Sequence, residues 1–185
     1  MVYIILGTGF EEAEAVIPCD LLRRAGVDVQ FAGIGARAIT GSNGITVTAD
    51  CTVQEAALTE AEMIVLPGGL GGVRSICGCR EVLDAVQQVY RAGGYVAAIC
   101  AAPTVLAGLG ITEGKRATCY PGMEPKMRGA LLQPAPAVVD GRVITGRAAG
   151  TAFAFALKLV AALRGEEAAK QVAGGIVYRQ EVQHD

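Results

Sequence analysis

The stretch Tyr95-Val96-Ala97-Ala98-Ile99 constrains the fold more than any other. It is apolar at every position, so neither face of the segment is suited to water. A parallel strand reads this way when helices cover both sides of its sheet. Cys100 ends the run. Small residues follow, then Pro103 and a helical pattern through Val105, Leu106 and Leu109 that ends at Gly108 and Gly110. Pro103 suits the first helical turn, where its missing N–H is not needed. The pattern places Cys100 at a tight strand-to-helix turn, with the positive end of a helix beside its sulfur. That field favours thiolate, the nucleophilic form. A related geometry serves the serine of hydrolases with a nucleophile elbow, although the G-x-S-x-G motif is absent. A free cysteine in such a place also reads as a small core hydrophobe.

The rest of the chain alternates strands with helices. Val2 to Leu6 is a buried strand and Gly7-Thr8-Gly9 its turn. Glu11, Glu12 and Glu14 load the start of a helix whose apolar positions are Ala13, Val16, Ile17, Leu21 and Leu22. Arg23, Arg24 and Gly26 end it, with cations where the macrodipole prefers them. Val27 to Ala32 is the next strand. Two short extended pieces, around Arg37–Thr40 and Ile45–Thr48, are joined by Gly-Ser-Asn-Gly in hairpin fashion. Glu62 to Leu66 is a core strand that ends in Pro67-Gly68-Gly69, and helix is expected from Arg80 to Ala92. Ala117–Cys119 is short. Val138–Val139 and Val143–Thr145 flank Asp140-Gly141, a two-residue hairpin signal. The last strong helix runs from about Thr151 to Leu163, with a shorter one after Gly165. The expected fold class is α/β, a doubly wound sandwich whose ligands sit at the carboxyl ends of the strands.

No linker, repeat or low-complexity stretch interrupts the 185 residues, so one domain spanning 1–185 is expected. Hydrophobic residues make up 52% and charged ones 18%, an economical surface that leaves room for an oligomer interface. The net charge of −2 and the lack of a basic run argue against nucleic acid and acidic membranes. The N-terminal run lacks a basic n-region and is short for a signal peptide, and no stretch approaches the ~20 apolar residues of a membrane helix. A cytoplasmic location is expected, with the six cysteines mostly reduced.

Three segments should meet at the carboxyl edge of the sheet: the turn leading to Glu14, Pro67-Gly68-Gly69, and Cys100. Glycines after a strand leave backbone N–H groups free to face negative charge. Gly69 and Ala101 are therefore candidate oxyanion-hole donors, with Gly68 beside them; Gly68 and Gly69 also suit a tight turn as such. No phosphate loop is expected, since neither G-x-G-x-x-G nor G-x-x-x-x-G-K-[ST] occurs. Glu11 and Glu12 are explained as helix-start charges. Glu14, one turn further in, can point toward the sheet edge. A carboxyl held against a thiolate has its pKa raised, donates a hydrogen bond to sulfur, and can carry a proton.

The combination of Gly9-Phe10-Glu11-Glu12-Ala13-Glu14-Ala15-Val16-Ile17-Pro18, Val65-Leu66-Pro67-Gly68-Gly69 and Ala98-Ile99-Cys100-Ala101-Ala102-Pro103-Thr104 resembles the ThiJ/PfpI superfamily. The similarity is closest to the branch of the Parkinsonism-associated protein deglycase and its bacterial counterparts. Thr118-Cys119-Tyr120-Pro121-Gly122, Asp140-Gly141-Arg142-Val143-Ile144-Thr145 and Gly150-Thr151-Ala152 agree with it. The resemblance covers nearly the whole chain. It implies a flavodoxin-like fold, a homodimer, Cys100 as an oxidation-sensitive nucleophile, Glu14 as its carboxyl partner, and Gly69 and Ala101 as oxyanion-hole amides.

Two departures bear on chemistry. Tyr120 stands where better-studied eukaryotic members carry histidine, and Ala101 where protease-like members place histidine after the cysteine. The lone histidine, His184, lies in a polar tail read as disordered surface. Peptidase and amidotransferase chemistry, which need an imidazole base, are disfavoured. Tyr120 is a candidate hydrogen-bond donor to the site but a poor base near neutral pH. Cys119, its neighbour, reads as a candidate resolving thiol or as ordinary burial. Cys77-Gly78-Cys79 lacks a second ligand pair for zinc and reads as a loop pair able to oxidise. Cys19 on the first helix and Cys51 in a turn read as structural. No metal and no cofactor are expected.

Two function classes remain. One is a cofactor-independent glyoxalase or deglycase-type enzyme, with Cys100 attacking small reactive aldehydes such as methylglyoxal or glyoxal. The other is a redox sensor or redox-regulated chaperone, with Cys100 oxidised to sulfenic and sulfinic acid.

Overall fold

The computed structural model describes residues 1–178. Strand β1 (Val2–Leu6) leads into helix α1 (Glu12–Arg24), then strand β2 (Val29–Gly33), the hairpin strands β3 (Ala38–Thr40) and β4 (Thr46–Thr48), and a short β5 (Cys51–Thr52). Strand β6 (Met63–Leu66) is followed by α2 (Leu70–Gly78) and α3 (Arg80–Arg91), and β7 (Tyr95–Ile99) by α4 (Pro103–Gly108). The remainder comprises β8 (Arg116–Ala117), β9 (Leu131–Leu132), the hairpin strands β10 (Ala137–Asp140) and β11 (Val143–Gly146), and helices α5 (Ala152–Arg164) and α6 (Glu166–Gly175).

Seven strands form the main sheet in the order β10-β11-β7-β6-β1-β2-β5. Every neighbouring pair is parallel except β10 with β11. The fold is thus the doubly wound α/β sandwich expected from the alternation, of the flavodoxin-like kind that the family resemblance implies. The pleat sends Val2, Ile4 and Leu6 of β1 into a core shared with α1, α5 and α6, where Leu21, Leu22, Phe155 and Leu159 are fully buried. Tyr3 and Ile5 enter the opposite core, against Val82, Val86 and Val89 of α3 and Leu106 of α4. Strand β7 does the same with Ala97 and Ile99 on one face and Val96 and Ala98 on the other. Both faces of these strands are dry, which is why their sequences do not alternate.

The chain reverses its direction of travel across the sheet at β1. It runs from β1 to β2 and β5 on one side, then starts again at β6 on the other. The crevice beyond the carboxyl ends of β1 and β6 is therefore the topological switch point, the usual ligand site of such sheets.

Several expectations need correcting. Cys51 is not in a turn: it opens β5, which pairs with Ala32 and Gly33 of β2. Cys77 and Cys79 do not form a loop pair. Cys77 lies in the last turn of α2, and Cys79 is the single residue between α2 and α3.

Helix α2 is absent from the sequence expectations because Gly71 and Gly72 count against helix. They are there for close approach. A Cβ at Gly71 would lie 2.9 Å from Gly9 Cα, and one at Gly72 would lie 2.8 Å from Phe10 Cα. The face of α1 also differs. Ala15, Pro18, Cys19 and Leu22 are buried together with Glu12 and Glu14, whereas Val16 is 45% exposed. His184 lies outside the described residues.

Candidate active site

Cys100 follows β7 directly and is held in a left-handed conformation, φ 66°. That region costs a non-glycine residue roughly 1–2 kcal/mol and persists only where the surroundings impose it. Here they do. The Cys100 N–H continues the sheet by donating to the Gly146 carbonyl at 3.0 Å, and the Cys100 carbonyl accepts from the Tyr120 N–H at 2.7 Å. Ala102 N–H turns back to Ile99 O at 3.1 Å, which starts α4 with Pro103 in its first turn. The sharp bend turns the side chain of Cys100 out of the sheet.

Glu14 is fully buried at the first turn of α1. Its Oε2 accepts a 2.8 Å hydrogen bond from the Gly68 N–H. Oε1 is buried with no hydrogen-bond partner among the described residues, and the Cys100 thiol lies close enough to the carboxyl to bear on its titration. Gly68 is what lets these groups meet. A Cβ there would lie 2.5 Å from Glu14 Oε2 and 2.6 Å from Cys100 Cβ. The turn is clamped to α1 by the Glu11 N–H, which donates to the Gly68 carbonyl at 3.0 Å. Gly69 then takes φ 80°, so that its N–H and that of Ala101 approach the sulfur.

Both acids of the pair are pushed up. For Glu14, burial raises the carboxyl from 4.5 to about 7, against hydrogen bonds from Cys100 and the Gly68 amide. For Cys100, burial again comes first, followed by the charge and hydrogen bond of Glu14; together they carry the thiol from 9.0 to about 12, against the Gly69 and Ala101 amides. The expectation of a thiolate favoured by the helix start is therefore corrected. Helix α4 has only 6 residues, and burial beside a carboxylate outweighs its field. Above about pH 7 the pair holds a single proton, carried by the thiol beside an ionised carboxylate, and it takes a second on the carboxyl as the pH falls through about 7.

This burial has a stability signature. Unfolded, the Glu14 carboxyl titrates near 4.5; folded, near 7. Between those values the folded chain keeps a proton that the unfolded chain has lost. Its contribution is thus fully present below the lower value and is lost as pH rises through the upper one. At ~1.4 kcal/mol per tenfold, the window of about 2.5 pH units is worth at most about 3.5 kcal/mol. Glu12, Glu55 and Asp140 are held below their ordinary values and act in the opposite sense under acid conditions. The difference between wild type and Glu14→Gln isolates the Glu14 effect. Urea titrations at pH 5 and pH 8 should show wild type losing stability, relative to the variant, at the higher pH. Parallel pH profiles would count against a buried, proton-holding Glu14.

The thiol opens onto a cleft of about 540 Å³ lined by Gly9, Glu11, Gly69, Leu70, Cys100 and Ala101, with Ser42, Arg74, Tyr120 and Met123 also on its wall. Cys100, Glu14, Gly68, Gly69 and Ala101 are thus brought together, and Tyr120 borders them. The Tyr120 hydroxyl makes no hydrogen bond among the described residues, and the residue is 45% exposed. Cys119 is placed differently from the resolving-thiol reading. It is buried, its thiol is pushed up by burial, and it lines a separate cavity of about 190 Å³ with Glu124 and Arg147. All six cysteines are free, and no cluster of potential metal ligands occurs among the described residues. No described helix is long and apolar enough to cross a membrane.

Sequence reasoning missed the wall contributed by α2 and the hairpin. Glu12 reads from sequence as a helix-start charge. In the fold it is buried and accepts hydrogen bonds from the Asn43 N–H at 2.8 Å and Asn43 Nδ2 at 2.9 Å, tying the β3–β4 turn to α1. Glu11, at the start of α1, accepts from Ser42 Oγ at 3.0 Å and Asn43 Nδ2 at 3.3 Å. The sequence signal available was the acidic run opposite a Gly-Ser-Asn-Gly turn.

An elbow cysteine beside a buried carboxyl, at the switch point of a doubly wound sheet, defines a class of α/β proteins with a thiol at the ligand edge of the sheet. The chain belongs to the DJ-1/PfpI family, whose description matches residues 1–162. It is similar to protein dj-1beta of Drosophila melanogaster, 40% identical over 177 residues covering 94% of this chain and 95% of the relative. It is also similar to the glutathione-independent glyoxalase DJR-1.2 of Caenorhabditis elegans, 33% identical over 159 residues covering 85% and 84%. The crystal structure of Drosophila melanogaster DJ-1beta matches the fold with a TM-score of 0.92 at 38% identity, over 97% of this chain and 98% of that one.

Proposed function

We propose that this protein is a cofactor-independent glyoxalase of the deglycase type. It acts on methylglyoxal or glyoxal, or on their early adducts, in protection against carbonyl and oxidative stress. One observation carries this reading: a buried carboxyl titrating near 7 touches an elbow thiol that opens onto a cleft. A relative named for glyoxalase activity supports it.

In this reading the sulfur of the singly protonated pair adds to the aldehyde carbon of methylglyoxal. The thiol proton passes through the Glu14 carboxylate to the new alkoxide, giving a hemithioacetal. Glu14 then takes the hydrogen of that carbon as a proton and returns it to the adjacent carbon, while the hydroxyl proton of the first carbon moves to the oxygen of the second, whose carbonyl becomes a hydroxyl. The first carbon is oxidised to a thioester as the second is reduced, so no external hydride or electron carrier enters. Water attacks the thioester, the carbon–sulfur bond breaks, and lactate leaves with the thiol restored; glyoxal gives glycolate in the same way. The Gly69 and Ala101 amides hold the oxyanions formed along the path. The working unit in this proposal is a homodimer, as the family resemblance implies. Exposed Val16 and Ile45 supply apolar surface for it, and light scattering at twice the monomer mass would support it.

The test is lactate appearance from methylglyoxal with purified protein. Lactate should form, with kcat/KM rising as pH increases through about 7, where the pair loses its first proton. If no lactate forms while peroxide adds two oxygens to Cys100 alone by mass, the redox-sensor reading replaces the enzyme. The same amides and the protonated carboxyl would then stabilise a sulfinate.

A further inference from the structure

The cleft is larger than its proposed substrate. Methylglyoxal has three carbons, whereas about 540 Å³ falls within the ~300–1,000 Å³ range that houses much larger ligands. Its wall also carries one cation, Arg74, one turn into α2 from Leu70. Arg74 has no hydrogen bond and no ion pair among the described residues, and unlike the other arginines without an ion pair it lines this cleft. The acid on the same wall, Glu11, is already engaged by Ser42 and Asn43. A neutral aldehyde has no use for a guanidinium. An oxyanion does, because guanidinium donors match carboxylate geometry and form charge-assisted hydrogen bonds.

We propose that Arg74 is a specificity-determining residue, and that the preferred substrate is a 2-oxoaldehyde whose tail ends in an oxyanion. The aldehyde meets Cys100, the chain of the substrate lies along Leu70, Tyr120 and Met123, and the tail meets Arg74. This inference rests on the glyoxalase reading for the reaction but not for the binding. Because Arg74 is at the exposed rim, its contribution falls with ionic strength.

The kinetic test compares initial rates with 4-carboxyphenylglyoxal and with phenylglyoxal. The readout is the ratio of their kcat/KM values. Wild type should favour the carboxylated substrate by about tenfold or more at low salt. Arg74→Gln should bring the ratio close to one, Arg74→Lys should restore part of it, and Arg74→Glu should take it below one. A ratio near one in wild type, or one unchanged in Arg74→Gln, overturns the proposal. A second arm reads binding without turnover: calorimetry of 4-carboxymandelate and mandelate on Cys100→Ser, with and without Arg74→Gln. Tighter binding of the carboxylated acid that disappears with Arg74 supports the inference. Equal binding of the two acids overturns it. If no aldehyde is turned over at all, the glyoxalase reading falls, and calorimetry alone decides on Arg74.

Discussion

Cys100→Ser should reduce lactate formation to the uncatalysed background, and Glu14→Gln should lower it by roughly 10²–10⁴-fold. The two losses have different causes. A serine hydroxyl keeps the elbow and the space but is a far weaker acid than a thiol. Among the described residues no imidazole is available to deprotonate it. A glutamine keeps the acceptor for the Gly68 N–H, so the turn should survive, but it cannot take and return a proton. Wild-type circular dichroism in both variants would show that the loss is chemical. Turnover in Glu14→Gln within a few-fold of wild type would remove Glu14 from the proton path. Full activity in Cys100→Ser would remove the thiol from the reaction altogether.

Gly68→Ala should disable the site without touching a reacting group. The added methyl would sit 2.5 Å from Glu14 Oε2, 2.6 Å from Cys100 Cβ and 3.0 Å from the Ile99 carbonyl. Two of these neighbours are backbone or lie one bond from it, and the third is a buried carboxyl, so none can yield cheaply. Overpacking together with a strained Gly68–Glu14 hydrogen bond should cost about 2–4 kcal/mol. Displacing the carboxyl from the sulfur should lower kcat/KM by about 100-fold or more. Gly174→Ala is the contrast. It lies in α6 with nothing within 4 Å of its added methyl, and it should gain about 0.5–1 kcal/mol from helix propensity. Urea midpoints and lactate rates for both variants check this. A Gly68→Ala protein that is as active and as stable as wild type would mean that Glu14 and Cys100 need not be in contact.

The effective group on Glu14 is made by distant parts of the chain. Its hydrogen-bond partner, Gly68, is 54 residues away, and the sulfur beside it comes from a third strand end. The alternation of strands and helices predicts that these ends share an edge, and the family resemblance names the residues. Neither gives a protonation state. That state depends on how completely water is excluded, and exclusion is set by packing between elements far apart in the chain.

What the amino-acid sequence determined by itself was local. Unbroken apolar runs defined buried parallel strands, Pro103 set a helix start, Asp140-Gly141 set a hairpin, and small residues around Cys100 set an elbow. Each signal acts within a few residues, so no distant partner is needed to read it. The tertiary structure decided the rest. It made a helix of Leu70–Gly78 despite its glycines, because that helix must lie against the turn after β1. It turned Val16 outward and Glu14 inward on α1, because the elbow and the Gly68 turn offer the carboxyl a partner there. It left Arg74 alone on the wall of the cleft. Contacts between distant segments cannot be read from spacing along one chain, because their energies arise only when the segments have been brought together.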